Sequence, residues 1–232
     1  MKWYSRIGIG IGAFIFSLAS SYFIVKDRVE KGIQPYVESH LVAIIKDQED
    51  KLGIQHFGIP RIVYEKQILL YDGSVGFKED RIFGIYKAKT DEIRLSSSYL
   101  VTPDTNLINM IATTVFDPEL ANVEEILAHE LGHFYIDKFN ESLGRGSWSN
   151  REDGNKAVSE GISEYFRKVL NNGGDGGVRL SYDMEFNLVK PIIDKYGKRG
   201  IDYLIANPPN VKEESSLEYQ NRVLEALADS HN

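Results

Sequence analysis

The residues of this chain best suited to catalytic chemistry lie in the stretch His129-Glu130-Leu131-Gly132-His133. Side chains four positions apart share one face of a helix, so both imidazoles can reach a single metal ion. Glu130 projects to a different side of the helix, where it can act as a general base on water. Zinc accepts imidazole and carboxylate ligands and leaves one position open in catalytic sites. The motif therefore predicts a catalytic zinc site with His129 and His133 as ligands.

A site of this kind needs a third protein ligand. The next predicted helix covers residues 155 to 170, and it carries Glu160 and Glu164 one turn apart on a single face. Glu160 can bind the metal while Glu164 accepts the N–H of a ligating imidazole. Three other carboxylates remain alternatives for the third ligand: Asp137, Glu152 and Asp153.

Other interpretations of the motif are weaker. The metzincin pattern requires glycine and histidine at the positions that Tyr135 and Phe139 occupy here. A purely structural helix would have to find separate hydrogen-bonding partners for two buried imidazoles. The remaining histidines have no ligand-like spacing: His40, His56 and His231.

The two motifs together resemble those of the gluzincin-type zinc metallopeptidases, in their thermolysin-like branch. The second motif is Ser-Glu-Gly-Ile-Ser-Glu-Tyr at residues 159 to 165. The resemblance implies the following roles: His129, His133 and Glu160 as zinc ligands, Glu130 as general base, and Glu164 as the support of a ligating imidazole. It also implies a strand that borders the cleft and pairs with an extended peptide, either residues 92 to 96 or their hairpin partner.

Members of this family commonly use a downstream tyrosine or histidine to stabilise the oxyanion. The resemblance therefore points to Tyr182 here, in preference to Tyr196 and Tyr203. Glu160 follows His133 by 27 positions, which is longer than in the compact members of the family. We interpret residues 143 to 155 as an inserted loop.

The elements that must position these residues indicate an α+β fold. The motif helix is predicted over residues 122 to 140, with an apolar stripe toward the core. Other helices are predicted over residues 34 to 51 and 216 to 229, and Gly197 is expected to end a helix that begins near residue 188. Strands are predicted over residues 61 to 64, 81 to 86 and 92 to 95, the last two forming a hairpin. Together with the resemblance, this predicts a zincin-like metallopeptidase domain over residues 29 to 232.

The N-terminal segment, residues 1 to 28, has a different character. Nineteen residues without a charge, 7 to 25, are flanked by basic residues, and a helix of this length approaches the thickness of a bilayer core. We therefore predict a single-pass transmembrane anchor with the catalytic domain extracytoplasmic. A cleaved signal segment, which leaves a secreted protein, is the alternative.

Composition excludes several classes of function. The chain has no cysteine, so disulfide frameworks, thiolate metal sites and thiol nucleophiles are ruled out. Its net charge is −7 and no basic run exceeds two residues, which does not support nucleic-acid binding. The sequence predicts a membrane-anchored peptidase with one Zn²⁺ per chain and a peptide or protein substrate. Two alternatives stay open: a non-catalytic metal-binding protein that holds peptides, and a zinc amidohydrolase that acts on cell-wall peptides.

Overall fold

The computed structural model describes the backbone of residues 3–68, 82–103, 107–116, 120–146, 153–170, 182–209 and 213–229. Within these ranges, the side chains of residues 3–19, 22, 116, 153–155 and 169–170 are not described. The helices are α1 (Trp3–Leu52), α2 (Leu107–Ile111), α3 (Val123–Ser142), α4 (Asp153–Leu170), α5 (Asp183–Ala206) and α6 (Ser216–Asp229). The strands are β1 (Arg61–Glu65), β2 (Gly84–Lys87), β3 (Glu92–Ser96), β4 (Leu100–Val101) and β5 (Ala121–Asn122).

The long helix α1 corrects two predictions for the N-terminal part of the chain. The helix predicted from residue 34 is the second half of a 50-residue helix, which ends just before Gly53, a glycine with a φ of 62°. No helix in the described part of the chain combines the length and the apolar character that crossing a bilayer requires. The predicted single-pass membrane anchor in residues 1 to 28 is therefore wrong. The apolar stretch is not a separate element, because it belongs to the same unbroken helix α1 as the C-terminal half. That half packs on the core through Ile33 and Val37.

The main sheet has three strands in the order β1-β3-β2. Strands β2 and β3 pair antiparallel, as the predicted hairpin requires, and Asp91 in their connection has a φ of 50°. Strand β1 pairs with β3 in parallel, with Arg61 opposite Glu92. This order makes β3 the central strand and leaves β2 at one edge. A second, two-stranded parallel sheet joins β4 and β5.

Helix α3 lies between two apolar clusters. Toward the sheet, its apolar residues pack against β3 and the second half of α1; the buried members include Ile45, Ile93, Leu95, Ile126 and Leu127. Toward the C-terminal half, Tyr135 and Ile136 of α3 pack against α4, α5 and α6; the buried members there include Val158, Ile162, Phe166, Val189, Ile192 and Tyr219. Each large apolar side chain buried in this way contributes about 1.5–3 kcal/mol to stability. The helix that carries the first motif is therefore fixed from both sides.

The C-terminal helices agree with the predicted elements. Within α5, Gly197 has a φ of 53° and a ψ of −134°, so two helical segments meet at the residue that was predicted to end a helix. Helix α6 covers the range predicted from its apolar pattern and buries Tyr219, Val223 and Leu227. The structure is thus mixed α and β with small sheets. The assignment to a zincin-like fold over residues 29 to 232 stays a prediction.

Candidate metal centre

Both histidines of the motif project from α3. The helix begins at Asn122, whose side-chain oxygen accepts the backbone N–H of Glu124 at 2.9 Å. The rings of His129 and His133 lie one turn apart, with centroids 4.9 Å from each other and planes at 81°. His129 is buried and His133 is half-buried.

Glu160 reaches the two histidines from α4. Its Oε2 atom lies 3.4 Å from Nε2 of His129 and 3.5 Å from Nε2 of His133. One potential ligand atom from each of these residues lies within 4.8 Å of the other two. Two atoms that bind zinc at about 2.1 Å and at a tetrahedral angle are roughly 3.4 Å apart. The two distances from Glu160 match the spacing of zinc ligands, and the two histidine nitrogens lie within 4.8 Å of each other.

Unsatisfied polar atoms at this position also fit a cation. Glu160 Oε2, which faces both histidines, is buried and accepts no hydrogen bond within the part of the chain that is described. A buried polar atom without a partner costs about 1–3 kcal/mol, and native structures contain few of them. A metal ion between the ligand atoms would give the Glu160 oxygen the partner that it lacks.

The electrostatic field of the site favours positive charge between these side chains. Burial opposes charge on His129, but the carboxylates of Glu160 and Glu164 outweigh that effect and raise its pKa to about 9. Burial also opposes charge on Glu160, yet the two imidazoles hold its pKa well below the ordinary value. A divalent cation would satisfy the same preference.

Two glycines allow the helices to approach closely enough to form this cluster. A Cβ atom on Gly132 of α3 would lie 2.6 Å from the Cα atom of Ser163 in α4. A Cβ atom on Gly161 of α4 would collide with the backbone carbonyl oxygen of Glu185 in α5. Because the contact at Gly132 involves backbone, a larger residue there would push α4, which carries Glu160, away from the histidines on α3. A larger residue at Gly161 would instead push α4 away from α5.

Glu164 lies behind His129, as predicted from its position one turn after Glu160. Its side chain is fully buried, and its Oε2 atom lies 3.5 Å from Nδ1 of His129. Burial raises the pKa of this carboxyl, but His129 and Arg167 outweigh burial and lower the pKa to about 2. Glu164 is therefore an ionised acceptor that faces the ring nitrogen opposite the ligand atom.

His133 has a different support, which the sequence did not reveal. The Oγ atom of Ser159 lies 2.8 Å from Nδ1 of His133. Ser159 precedes the proposed ligand Glu160 on α4, so one turn of this helix supplies both a ligand and a hydrogen bond to the other ligand. Serine is common on helix surfaces, and its type alone gave no signal of this role.

Glu130 contacts the edge strand β2 and does not belong to the ligand set. It is buried, and its carboxylate accepts the backbone N–H of Tyr86 in β2. A Cβ atom on Gly84 of the same strand would lie 3.1 Å from Cγ and Oε1 of Glu130. Burial raises the pKa of the Glu130 carboxyl, while His129 and His133 act in the opposite direction. A raised pKa is typical of a general base that works near neutral pH.

Tyr182, at the N-cap position of α5, lies against one of the proposed ligands. Its ring stacks on the ring of His129, with centroids 5.8 Å apart and planes at 18°. Burial, together with the negative charges of Glu160 and Glu130, raises the pKa of Tyr182 to about 12. The hydroxyl therefore keeps its proton and can donate a hydrogen bond.

The alternative candidates that the structure describes lie elsewhere, as do two of the histidines outside the motif. Asp137 is buried on α3, but its carboxylate accepts the hydroxyl of Tyr86 at 3.0 Å and is absent from the ligand cluster. Tyr196 and Tyr203 pack against the helical core. His40 stacks on Tyr36 along α1, and His56 contacts Glu49 at 2.6 Å. Three predictions lie partly or wholly outside the described residues: Glu152, the side chain of Asp153, and residues 147–152 of the inserted loop at residues 143 to 155. His231 lies outside them as well.

Comparisons of the chain with protein-family models, with curated proteins and with solved structures gave no match.

Proposed function

We propose that the protein is a zinc-dependent peptidase that hydrolyses peptide bonds. The observation that carries the proposal is a buried acid, Glu130, which follows His129 on the same helix and is coupled electrostatically to both histidines, yet does not belong to the set of three ligand residues. A metal site that only stabilised the fold would not need this second type of acid. A hydrolase needs it to accept a proton.

His129, His133 and Glu160 are the residues that would hold the ion. Zinc in such a site supplies a Lewis acid that polarises a carbonyl group and increases the acidity of water. Three protein ligands leave one position open, which distinguishes catalytic zinc sites from closed structural ones. The donor set of two imidazoles and one carboxylate also suits zinc better than calcium or magnesium, which prefer oxygen ligands.

Glu130 would act on the proton of the attacking water. Its carboxylate accepts this proton as the water oxygen bonds to the peptide carbonyl carbon, and then gives it to the leaving nitrogen. The hydroxyl of Tyr182 would donate a hydrogen bond to the negative oxygen that develops on the carbonyl group.

The edge strand β2 is the part of the sheet best suited to hold an extended peptide. The carbonyl of Phe83 accepts the N–H of Ser96, and alternation along an antiparallel pair then turns the backbone groups of Gly84 and Tyr86 away from β3. The Tyr86 N–H donates to Glu130, so the groups that we propose for the peptide are those of Gly84 and the carbonyl of Tyr86. A peptide that paired with this edge would run past Glu130, because Tyr86 contacts the Glu130 carboxylate. Since β3 is central, its hairpin partner β2 is the strand that we propose for this role.

The test is a comparison of Glu130→Gln with the unaltered chain. We expect turnover of a mixed peptide pool to fall by about 10²–10⁴-fold, since the amide cannot act as a base. Zinc content, measured by elemental analysis, should stay at one per chain. Glu141→Gln is the matched control, because Glu141 lies on the same helix but is exposed and pairs with Lys138.

Two results would contradict the proposal. Cleavage that persists in Glu130→Gln would show that this acid is not the base. Zinc binding without any peptide cleavage by the unaltered chain would favour the alternative of a non-catalytic metal-binding protein.

A further inference from the structure

A buried arginine connects the two helices directly behind the metal centre. Arg167 lies on α4 with only 5% of its side chain exposed. Its Nε and Nη2 atoms donate to the two oxygens of Glu164, at 2.9 Å and 2.5 Å. Its Nη1 atom donates to Oε2 of Glu125 on α3 at 2.9 Å. One guanidinium therefore holds carboxylates from both helices.

These contacts form a closed ring that includes a proposed ligand. On α3, Glu125 and His129 lie one turn apart, and on α4, Glu164 and Arg167 lie one turn apart. The ring runs from His129 to Glu164, then to Arg167 and Glu125, and back along α3 to His129. We call these four residues the brace.

The geometry of the brace fixes the plane of the Glu164 carboxylate. A guanidinium that donates to both oxygens holds a carboxylate in one orientation, which a single ammonium group cannot do. In this orientation Oε2 of Glu164 faces Nδ1 of His129, so that Nε2 of the ring faces Glu160. Lys168 also approaches Glu164, at 3.5 Å, but its closer partner is Asp183 at 2.6 Å.

We propose that Arg167 is a positioning residue of the metal centre. It holds Glu164 against Nδ1 of His129, and Glu125 holds Arg167 in place, so the imidazole presents Nε2 to the ion. This inference rests on the proposed zinc site and adds Arg167 and Glu125, which lie behind Glu164, to the residues that position it. Residues behind a ligating histidine typically change metal affinity by about 10–100-fold when they are replaced.

The test measures zinc affinity by competition with a chelating dye, using the full chain. Arg167→Lys keeps the positive charge and removes the paired donors, and we expect the zinc dissociation constant to rise about tenfold. Glu125→Gln keeps the pair between Arg167 and Glu164 but weakens its attachment to α3, so a smaller rise in the same direction is expected. If Arg167→Lys fails to fold, the zinc affinity of Glu125→Gln still tests the proposal.

The matched control is Arg94→Lys. Arg94 contacts Glu65 and Glu92 at 2.6 Å and 3.1 Å, which is a similar arrangement in the sheet without any link to the histidines. Because 29% of the Arg94 side chain is exposed, this variant should lose less thermal stability than Arg167→Lys, and its zinc affinity should stay unchanged. The visible spectrum of the cobalt-substituted protein, which reports ligand geometry, should change for Arg167→Lys and not for Arg94→Lys.

Two outcomes would overturn the inference, and only the second would also overturn the proposed function. Arg167→Lys and Glu125→Gln could both have the zinc affinity and the cobalt spectrum of the unaltered chain. That result would overturn the positioning role of Arg167 and leave the proposed zinc site intact. If the unaltered chain binds no zinc, both the positioning role of Arg167 and the proposed function are overturned. If the chain binds zinc but cleaves no peptide, the peptidase proposal fails while a tenfold loss of affinity still supports the brace.

Discussion

The two sides of the candidate site are held in different ways. On the helix side, His129, His133 and Glu160 are brought together by the contact between α3 and α4, where backbone meets backbone at Gly132 and charged groups are buried behind the ligands. On the sheet side, Glu130 meets β2 through its side chain. Helix packing therefore fixes the positions of the three proposed ligands, and the edge strand β2 contacts the proposed general base.

This difference has a consequence for variants of the protein. A change on the helix side should alter metal binding first and turnover only as a result. A change on the sheet side should alter turnover while the metal remains bound. The following substitutions separate the two properties.

The largest effect on metal binding is expected for Glu160→Gln. The replacement keeps the shape of the side chain and removes a charged ligand, so the zinc dissociation constant should rise by about a hundredfold or more. The measurement is competition with a chelating dye. Glu130→Gln, on the sheet side, should bind zinc like the unaltered chain. Equal losses in both variants would show that the two sides are not separate.

Gly132→Ala should disturb the helix side through packing. The added methyl group meets the Cα atom of Ser163 at 2.6 Å, and overpacking of this kind costs about 1–3 kcal/mol in the free energy of unfolding. Zinc affinity should decrease with it, since α4 carries Glu160. Denaturant unfolding measures the first effect. Gly32→Ala on α1, where a methyl group meets nothing within 4 Å, is the control, and an equal loss of stability there would contradict the account.

Gly84→Ala should affect the sheet side alone. The methyl group would lie 2.7 Å from Cγ2 of Ile126 and 3.1 Å from Glu130, so these side chains must shift. A small displacement of a general base lowers turnover, here by about tenfold. Steady-state cleavage of a peptide substrate measures the loss, with zinc content unchanged. Loss of zinc in this variant would contradict the separation of the two sides.

The smallest effect is expected for Ser159→Ala. A neutral hydroxyl holds His133, whereas a charged network holds His129, and one neutral hydrogen bond contributes about 0.5–1.5 kcal/mol. Zinc affinity should therefore decrease about two- to tenfold, which is measurable by dye competition. A larger loss of zinc affinity in Ser159→Ala than in Glu160→Gln would contradict the view that Ser159 only supports a ligand.

The sequence predicted the residues that cluster in the site better than it predicted the contacts that hold them. Spacing of i and i+4 on two helices was sufficient to nominate His129, His133, Glu160 and Glu164, because helical periodicity fixes which side chains share a face. It could not show that Ser159 supports His133, since that contact depends on how α3 and α4 cross. Arg167 had a usable signal, because it lies three positions after Glu164 and so shares a face of the helix with that carboxylate.

The fold shows the same limit. Local pattern predicted the hairpin of β2 and β3 and the end of a helix at Gly197, because both depend on neighbouring residues. It did not predict that β1 would pair with β3 in parallel, which requires long-range contacts. The membrane anchor was predicted from the uncharged residues 7 to 25 and the basic residues that flank them. Nothing in that stretch indicated that its helix would extend to Leu52.

The metal content of the full chain tests the central claim most directly. We predict that native mass spectrometry of protein purified without chelator will show one zinc ion per chain. The ion should be absent when His129 and His133 are both replaced by alanine. A chain that carries no tightly bound metal, or a double variant that keeps the ion, would contradict the account.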